Sequence, residues 1–244
     1  MNPGKSTISI VLALLLAGCI TVNEPGRIPA GSGAGWYTVK PSDTLYSISW
    51  RYGLDYKLVA AWNNIEVSAP IYPGQRLKLV APAGQSQATS SGVAPRKTQT
   101  ATASNKNTGS SKTGTDEFNY TDPDKWIWPT EGKPLNTFSA TKLDRRGIDI
   151  AGKSGQPVRA VASGKVVYSG NGLAGYGNLI IIKHSDTFLS AYAYCRERLV
   201  EEGMAVSAGR VIAKMGHKDN TAKLHFEIRR NGKPVDPLKY LPKR

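Results

Sequence analysis

The stretch TAKLHFEIRRNG, Thr221 to Gly232, sets an imidazole and a carboxylate two residues apart, His225 and Glu227, in an alternating pattern that reads as a β-strand. Residues two apart on a strand share a face, which raises the question of a metal site. Lys223 stands one step further along the same face. A catalytic zinc normally takes three protein ligands and keeps an open position for water, and an ammonium group beside the imidazole opposes an incoming dication. The only other histidines are His184 and His217. A metal centre would have to recruit those, or Asp144 or Cys195. Cys195 adjoins Tyr194 and alternates to the opposite strand face.

The N-terminus indicates export. Lys5 precedes the apolar run ISIVLALLLAGC, too short for a mature spanning helix and matching a signal-peptide core with a small-residue cleavage site. Residues 1–18 are expected to be removed, and Leu16-Ala17-Gly18-Cys19 resembles a bacterial lipobox in which Cys19 is lipidated. Several acyl chains at about 0.8 kcal/mol per methylene give stable anchoring. Ile20, where an inner-membrane lipoprotein would carry Asp, favours the periplasmic face of the outer membrane. Cys195 is then the one thiol of the folded part, so no internal disulfide forms; it is expected to be a small buried residue. The net charge of +14 biases the chain toward anionic partners, and export argues against nucleic acid.

After a Gly/Pro/Ser tether (19–35) comes a compact unit, 36–80. Tyr37 and Val39 alternate as a short strand, and Ser42 or Asp43 can cap a helix carrying Leu45, Ile48 and Tyr52. Gly53 ends it, Asp55 can cap a second helix through Trp62, and Leu77, Leu79 and Val80 close with a strand after Pro73-Gly74. The order is strand, helix, helix, strand, a small α+β unit. The segments YTVKPSDTLYSIS, NN and IYPGQRLKL resemble a LysM domain. That resemblance implies a shallow groove for N-acetylglucosamine-containing glycan, with Ser42, Asp43, Thr44 and Leu45 on one side and Asn64, Ile65 and Ile71 on the other. Small polar groups would bond hydroxyls and the acetamide while apolar side chains cover the sugar's C–H face.

Residues 81–122 shift to Ser, Thr, Gly, Gln, Ala and Lys with no apolar period, the composition of a disordered linker. Some 40 such residues span on the order of 35 Å, which would let the second domain reach while the first holds on. That domain, 123–244, shows strand-like runs KVVYSG, NLIIIKH, FLSAYAY, RVIAKMG and LHFEIRR between glycine turns. No long helix is evident, and an antiparallel all-β sandwich is expected.

The succession RRGIDIAGKSGQPVRAVASGKVVYSGNGLAGYGNLIIIKH, LSAYAY and LHFEIRRNGKPVDPLKYLP is similar to the LytM (lysostaphin-like) zinc metallopeptidase domain, which implies an all-β fold resembling a duplicated hybrid motif. Active members bind zinc through a His, an Asp four residues on, and the last His of an H-x-H; two further histidines handle the catalytic water. By this resemblance the first ligand position is Arg145, the second Asp149 and the third His225. The catalytic positions are Tyr194 and Lys223. Two cations would stand where imidazoles did; even at an effective dielectric near 20, unit charges about 4 Å apart interact by roughly 4 kcal/mol. An ion-paired cleft without metal is expected, with Asp149 held by Arg145 or Lys223 and His225 hydrogen-bonded inside. Tyr176 would stand on its rim.

Lipobox, single LysM, Ser/Thr-rich linker and altered LytM domain together resemble the NlpD-like lipoproteins. The likeness implies a non-catalytic, cofactor-free activator that binds peptidoglycan and switches on a periplasmic N-acetylmuramoyl-L-alanine amidase for septal wall splitting. The former substrate cleft would hold the partner segment. Two other readings stay open at this level: a purely structural wall-binding lipoprotein, and an endopeptidase with an unconventional metal site.

Overall fold

The computed structural model describes residues 35–81, 121–142 and 145–244. The signal segment, Cys19, nearly all of the tether and linker, and Asp144 lie outside the described residues.

In the first unit, β1 (Trp36–Thr38) pairs antiparallel with β2 (Arg76–Lys78), and α1 (Leu45–Tyr52) and α2 (Tyr56–Trp62) run between them. The N-cap of α1 is Thr44, not Ser42 or Asp43. Its Oγ1 accepts from the Ser47 amide at 3.0 Å while the Ser47 hydroxyl accepts from the Thr44 amide at 2.9 Å, a reciprocal capping box. Asp43 is unavailable because its carboxylate accepts from the Tyr37 hydroxyl at 2.6 Å and the Lys40 amide at 2.9 Å. Gly53 ends α1 in the left-handed region at φ 67°, and Asp55 caps α2 by accepting from the Lys57 amide.

The described residues of the second unit are largely β, with a 3₁₀ turn at Pro237–Lys239. Its strands are β3 (Ile148–Ala151), β4 (Pro157–Arg159), β5 (Gly164–Gly170), β6 (Asn178–Lys183), β7 (Phe188–Arg198), β8 (Ala205–Val206), β9 (Val211–Met215), β10 (His217–Lys218), β11 (Thr221–Arg230) and β12 (Lys233–Val235). They form one branched antiparallel sheet rather than two stacked ones. The main path is β10-β11-β7-β6-β5-β8, with β3 and β12 added to β11, and β9 joining β4 to β7. The branching follows from length: β7 and β11, at 11 and 10 residues, outrun any one partner and pair with different strands at their two ends. Val158, Ile212 and Ala213 of the β4–β9 branch pack against Ile150, Ile180, Ile182, Tyr192, Leu224 and Phe226, enclosing the main core.

The opposite face of the sheet is covered by the first unit. Leu179, Ile181, Leu189, Ala191 and Ala193 share a second core with Leu45, Ile48, Trp50, Leu77 and Leu79. This explains why Ile180, Ile181 and Ile182 run without a polar break: both faces of β6 are buried. Polar contacts pin the seam. Arg229 Nη1 donates to the Trp50 carbonyl at 2.8 Å, Arg51 Nη2 to the Gly172 carbonyl at 3.2 Å, and the Thr44 hydroxyl to the Val167 carbonyl at 3.3 Å. The two units, which the linker composition would allow to move apart, therefore pack as one body. Trp50 is 2% exposed with the Arg229 guanidinium 3.5 Å from its ring centre. Trp50→Ala is expected to lower the unfolding free energy by about 3–5 kcal/mol, measured by urea denaturation.

Candidate functional site

Alternation along β11 turns Lys223, His225, Glu227 and Arg229 toward the face that the first unit partly covers, and Leu224, Phe226 and Ile228 into the main core. The antiparallel register sets His225 opposite Asp149 of β3. Five charged or chargeable groups then form a line. Lys223 Nζ donates to Asp149 Oδ2 at 2.9 Å, and His225 Nδ1 meets Asp149 Oδ1 at 2.8 Å. Beyond the ring, His225 Nε2 lies 3.3 Å from Glu227 Oε1, and Arg229 Nε donates to Glu227 Oε2 at 3.0 Å. The Tyr176 hydroxyl donates to Glu227 Oε1 at 2.7 Å. Signs alternate along the whole row.

Each shift in protonation follows from this row. Burial alone would lower the His225 pKa, yet hydrogen bonds and charge from Asp149 and Glu227 outweigh it and push the imidazole up to about 9. Burial would raise Glu227, but Arg229 and His225 hold its carboxyl down at about 2. Burial opposes ionisation of Asp149 as well, and the bonds from His225 and Lys223 keep its carboxyl below the usual range. Tyr176 is pushed up by burial and by the Glu227 charge. His225 is thus an imidazolium at neutral pH, with both ring nitrogens donating to carboxylates.

The residues nominated from sequence divide into those the fold gathers and those it does not. Lys223, Asp149, His225, Tyr176 and Tyr194 come together. Between β6 and β7 the register slips so that Ala193 and Tyr194 oppose a single residue, and Tyr194 sits at φ 61°. This bulge swings the phenol onto the His225 side, ring centres 5.6 Å apart. Arg145 does not join. Its guanidinium bonds the Thr137 carbonyl and hydroxyl at 3.1 and 2.8 Å, leaving Lys223 as the cation on Asp149. Tyr176, expected on the rim, has its hydroxyl in the interior on Glu227.

Arg229, Trp50 and Asn136 were missed as participants, and Glu227 was noted only for its spacing from His225; the Asn136 side chain accepts from the Asp149 amide at 2.8 Å. For Glu227 and Arg229 the signal was available, since they continue the two-residue spacing of Lys223 and His225. Other potential ligands are elsewhere. His184 is buried between the Ser163 carbonyl and the Ser190 hydroxyl and pushed down to about 4 by burial, so it is neutral. Cys195 faces the main core with its thiol pushed up to about 12 by burial, and His217 is exposed on β10. Among the described residues no three His, Cys, Asp or Glu groups converge to hold a metal ion.

Of the residues nominated for glycan, Asp43, Thr44, Leu45, Ile65 and Ile71 line one cavity of about 920 Å³. Ser42 lines a neighbouring one of about 580 Å³, and Asn64 lies outside both, exposed at φ 52°. Leu45 is buried and serves the shared core as well.

Residues 37–80 match the LysM domain family and residues 144–237 match peptidase family M23. Fold and matches together define a LysM–M23 protein, with the β-domain built on the M23, lysostaphin-like plan. The chain is 39% identical to the murein hydrolase activator NlpD of Escherichia coli, covering 90% of this chain and 71% of that one. It is 37% identical to the lipoprotein NlpD/LppB homolog of Pseudomonas aeruginosa, covering 97% and 91%. With the outer membrane antigenic lipoprotein B of Haemophilus influenzae it shares 38% identity over 89% of this chain and 66% of that one. The chain belongs to the NlpD family.

The charge row makes stability depend on pH in a defined direction. The folded His225 value, about 9, lies above the unfolded value of about 6.5. Its contribution is therefore full below about pH 6.5 and lost as pH rises through 9. Glu227, at about 2 when folded, contributes fully above its unfolded value of about 4.3 and loses this as pH falls through 2. Urea unfolding at several pH values is expected to show stability declining between pH 6.5 and 9.5, and His225→Gln to flatten that decline.

Proposed function

We propose that the protein is a lipid-anchored, non-catalytic murein hydrolase activator. Cys19 anchors it to the periplasmic face of the outer membrane, the LysM unit binds peptidoglycan, and the M23 domain switches on a periplasmic N-acetylmuramoyl-L-alanine amidase for septal wall splitting. Family membership supports the activator role. The outer membrane location is carried over from the name of the Haemophilus influenzae relative.

The observation that carries the non-catalytic reading is the ion pair between Lys223 and Asp149. Peptidase family M23 implies zinc, and the donor set here does not fit it. Of the three ligand positions, Arg145 is a cation bonded to Thr137, Asp149 has one oxygen on an ammonium and the other on an imidazole, and His225 is protonated. A neutral imidazole lone pair and a free carboxylate are what zinc needs. A face presenting Lys223 and Tyr194 beside a shielded carboxylate is instead suited to recognition, the ammonium using N–H donors beyond the one on Asp149 to bond carbonyls or carboxylates of a partner segment.

Lys223 is partly exposed and lies at the open end of the row. Lys223→Gln, which removes the charge without setting a second carboxylate against Asp149, is expected to reduce amidase activation at least tenfold while leaving the fold intact. Release of dye from labelled sacculi reads this out, with circular dichroism as the folding control. Wild-type protein should release dye only when an amidase is added. Release without one would establish an enzyme, and no release in either case would leave a wall tether.

A further inference from the structure

The cavity that holds five of the LysM glycan residues is not a groove on the LysM unit alone. Its other side is made by the M23 domain: Lys165, Val167, Lys183, Glu202 and Gly203, from β5, β6 and the turn before β8. This matters because of what the LysM side has left to offer. Leu45, Ile65 and Ile71 supply apolar surface for a sugar's C–H face. Of its polar side chains, Asp43 is engaged on Tyr37, Arg51 and the Lys40 amide, and Thr44 on its helix cap and the Val167 carbonyl, while Lys57, Glu66 and Ser68 also line the cavity from this side. A sugar displays hydroxyls around its rim, and leaving those unbonded on entry into a cleft forfeits the hydrogen bonds they made to water.

Polar groups able to meet them stand across the cavity. Lys183 is tied to Asp186 at 2.7 Å. Lys165 and Glu202 make no ion pair among the described residues. Glu202 lines both the larger cavity and the neighbouring one that contains Ser42, so its carboxylate is shared by the whole seam. Burial within the cleft raises its pKa, as expected for a carboxylate with no cation beside it. A volume of about 920 Å³ falls within the usual range of small-ligand sites.

We propose that the glycan site is composite: an N-acetylhexosamine oligosaccharide binds in the seam between the two domains, its apolar face on LysM and its hydroxyls and acetamide on Lys165 and Glu202 of the M23 domain. This rests on the reading of the LysM unit as glycan-binding and assigns a binding role to strands that the peptidase likeness does not. A ligand held by both domains also favours their docked arrangement over any separated one, by its affinity difference for the two.

The test is calorimetric titration of the full chain in detergent with chitotetraose, four linked N-acetylglucosamines. Lys165→Ala and Glu202→Gln, both on the M23 side and outside either core, are each expected to weaken binding about five- to tenfold, the effect of one or two lost hydrogen bonds. Ile71→Ala on the LysM side is expected to weaken it as well, and unchanged melting temperatures establish that the variants fold. If both M23-side variants bind as wild type does while Ile71→Ala is impaired, the groove belongs to LysM alone and the composite site is wrong. If the wild-type chain itself binds no chitotetraose, the glycan reading fails together with it.

Discussion

A strand face carrying Lys223, His225, Glu227 and Arg229 in succession folds only if each charge finds its opposite, because isolated ions cannot be buried at tolerable cost. Asp149 answers Lys223 and His225, Glu227 answers His225 and Arg229, and the Trp50 carbonyl accepts from Arg229 Nη1. The rest of the arrangement hangs from this requirement. It sets the register of β3 on β11, since a slip by one residue would send Asp149 into the apolar core and leave two cations facing one carboxylate. It also calls for the first unit, because Arg229 is 1% exposed and depends on a carbonyl that β-strands of its own domain do not provide.

The same row accounts for the change of chemistry. A metal site concentrates lone pairs on a point, whereas here each acceptor faces a donor within the protein. Replacing an imidazole with Lys223 does more than remove a nitrogen. The ammonium occupies the carboxylate oxygen that would have bound the ion, and the charge it adds helps keep Asp149 ionised, which in turn keeps His225 protonated. Substitution at one position thus changes the protonation state of its neighbours, and the site is altered as a unit.

Much of this was legible in the chain, for reasons that differ by element. The five longer strands show because apolar residues recur along them, and Gly53 and Asp55 mark helix ends through purely local bonding. The short strands β3, β4, β8, β10 and β12 carry too few residues for a pattern and exist because a long neighbour offers an edge. Thr44 displaced Asp43 as a cap through a contact with Tyr37 on β1, which no local rule contains. At the site, the spacing of Lys223 and His225 indicated a shared face, and the position of Asp149 came through the family resemblance. The turn of Arg145 toward Thr137 depends on side-chain rotamers, and Trp50 enters from 179 residues away. The run Ile180–Ile182 read only as a strand, and that both faces of β6 are covered emerged with the docked first unit.

That cover has a consequence for what the linker does. Since the LysM unit and the sheet share a hydrophobic core and a buried guanidinium–carbonyl bond, the segment between 81 and 121 is not what holds them in place. Because both units belong to one chain, their docking is intramolecular and recovers after any opening without a search through solution. The domains are in this sense ligands for one another. Any partner that seeks the bare face of β6 and β7 competes with a tethered occupant, and its apparent affinity is reduced by the fraction of time that occupant is bound.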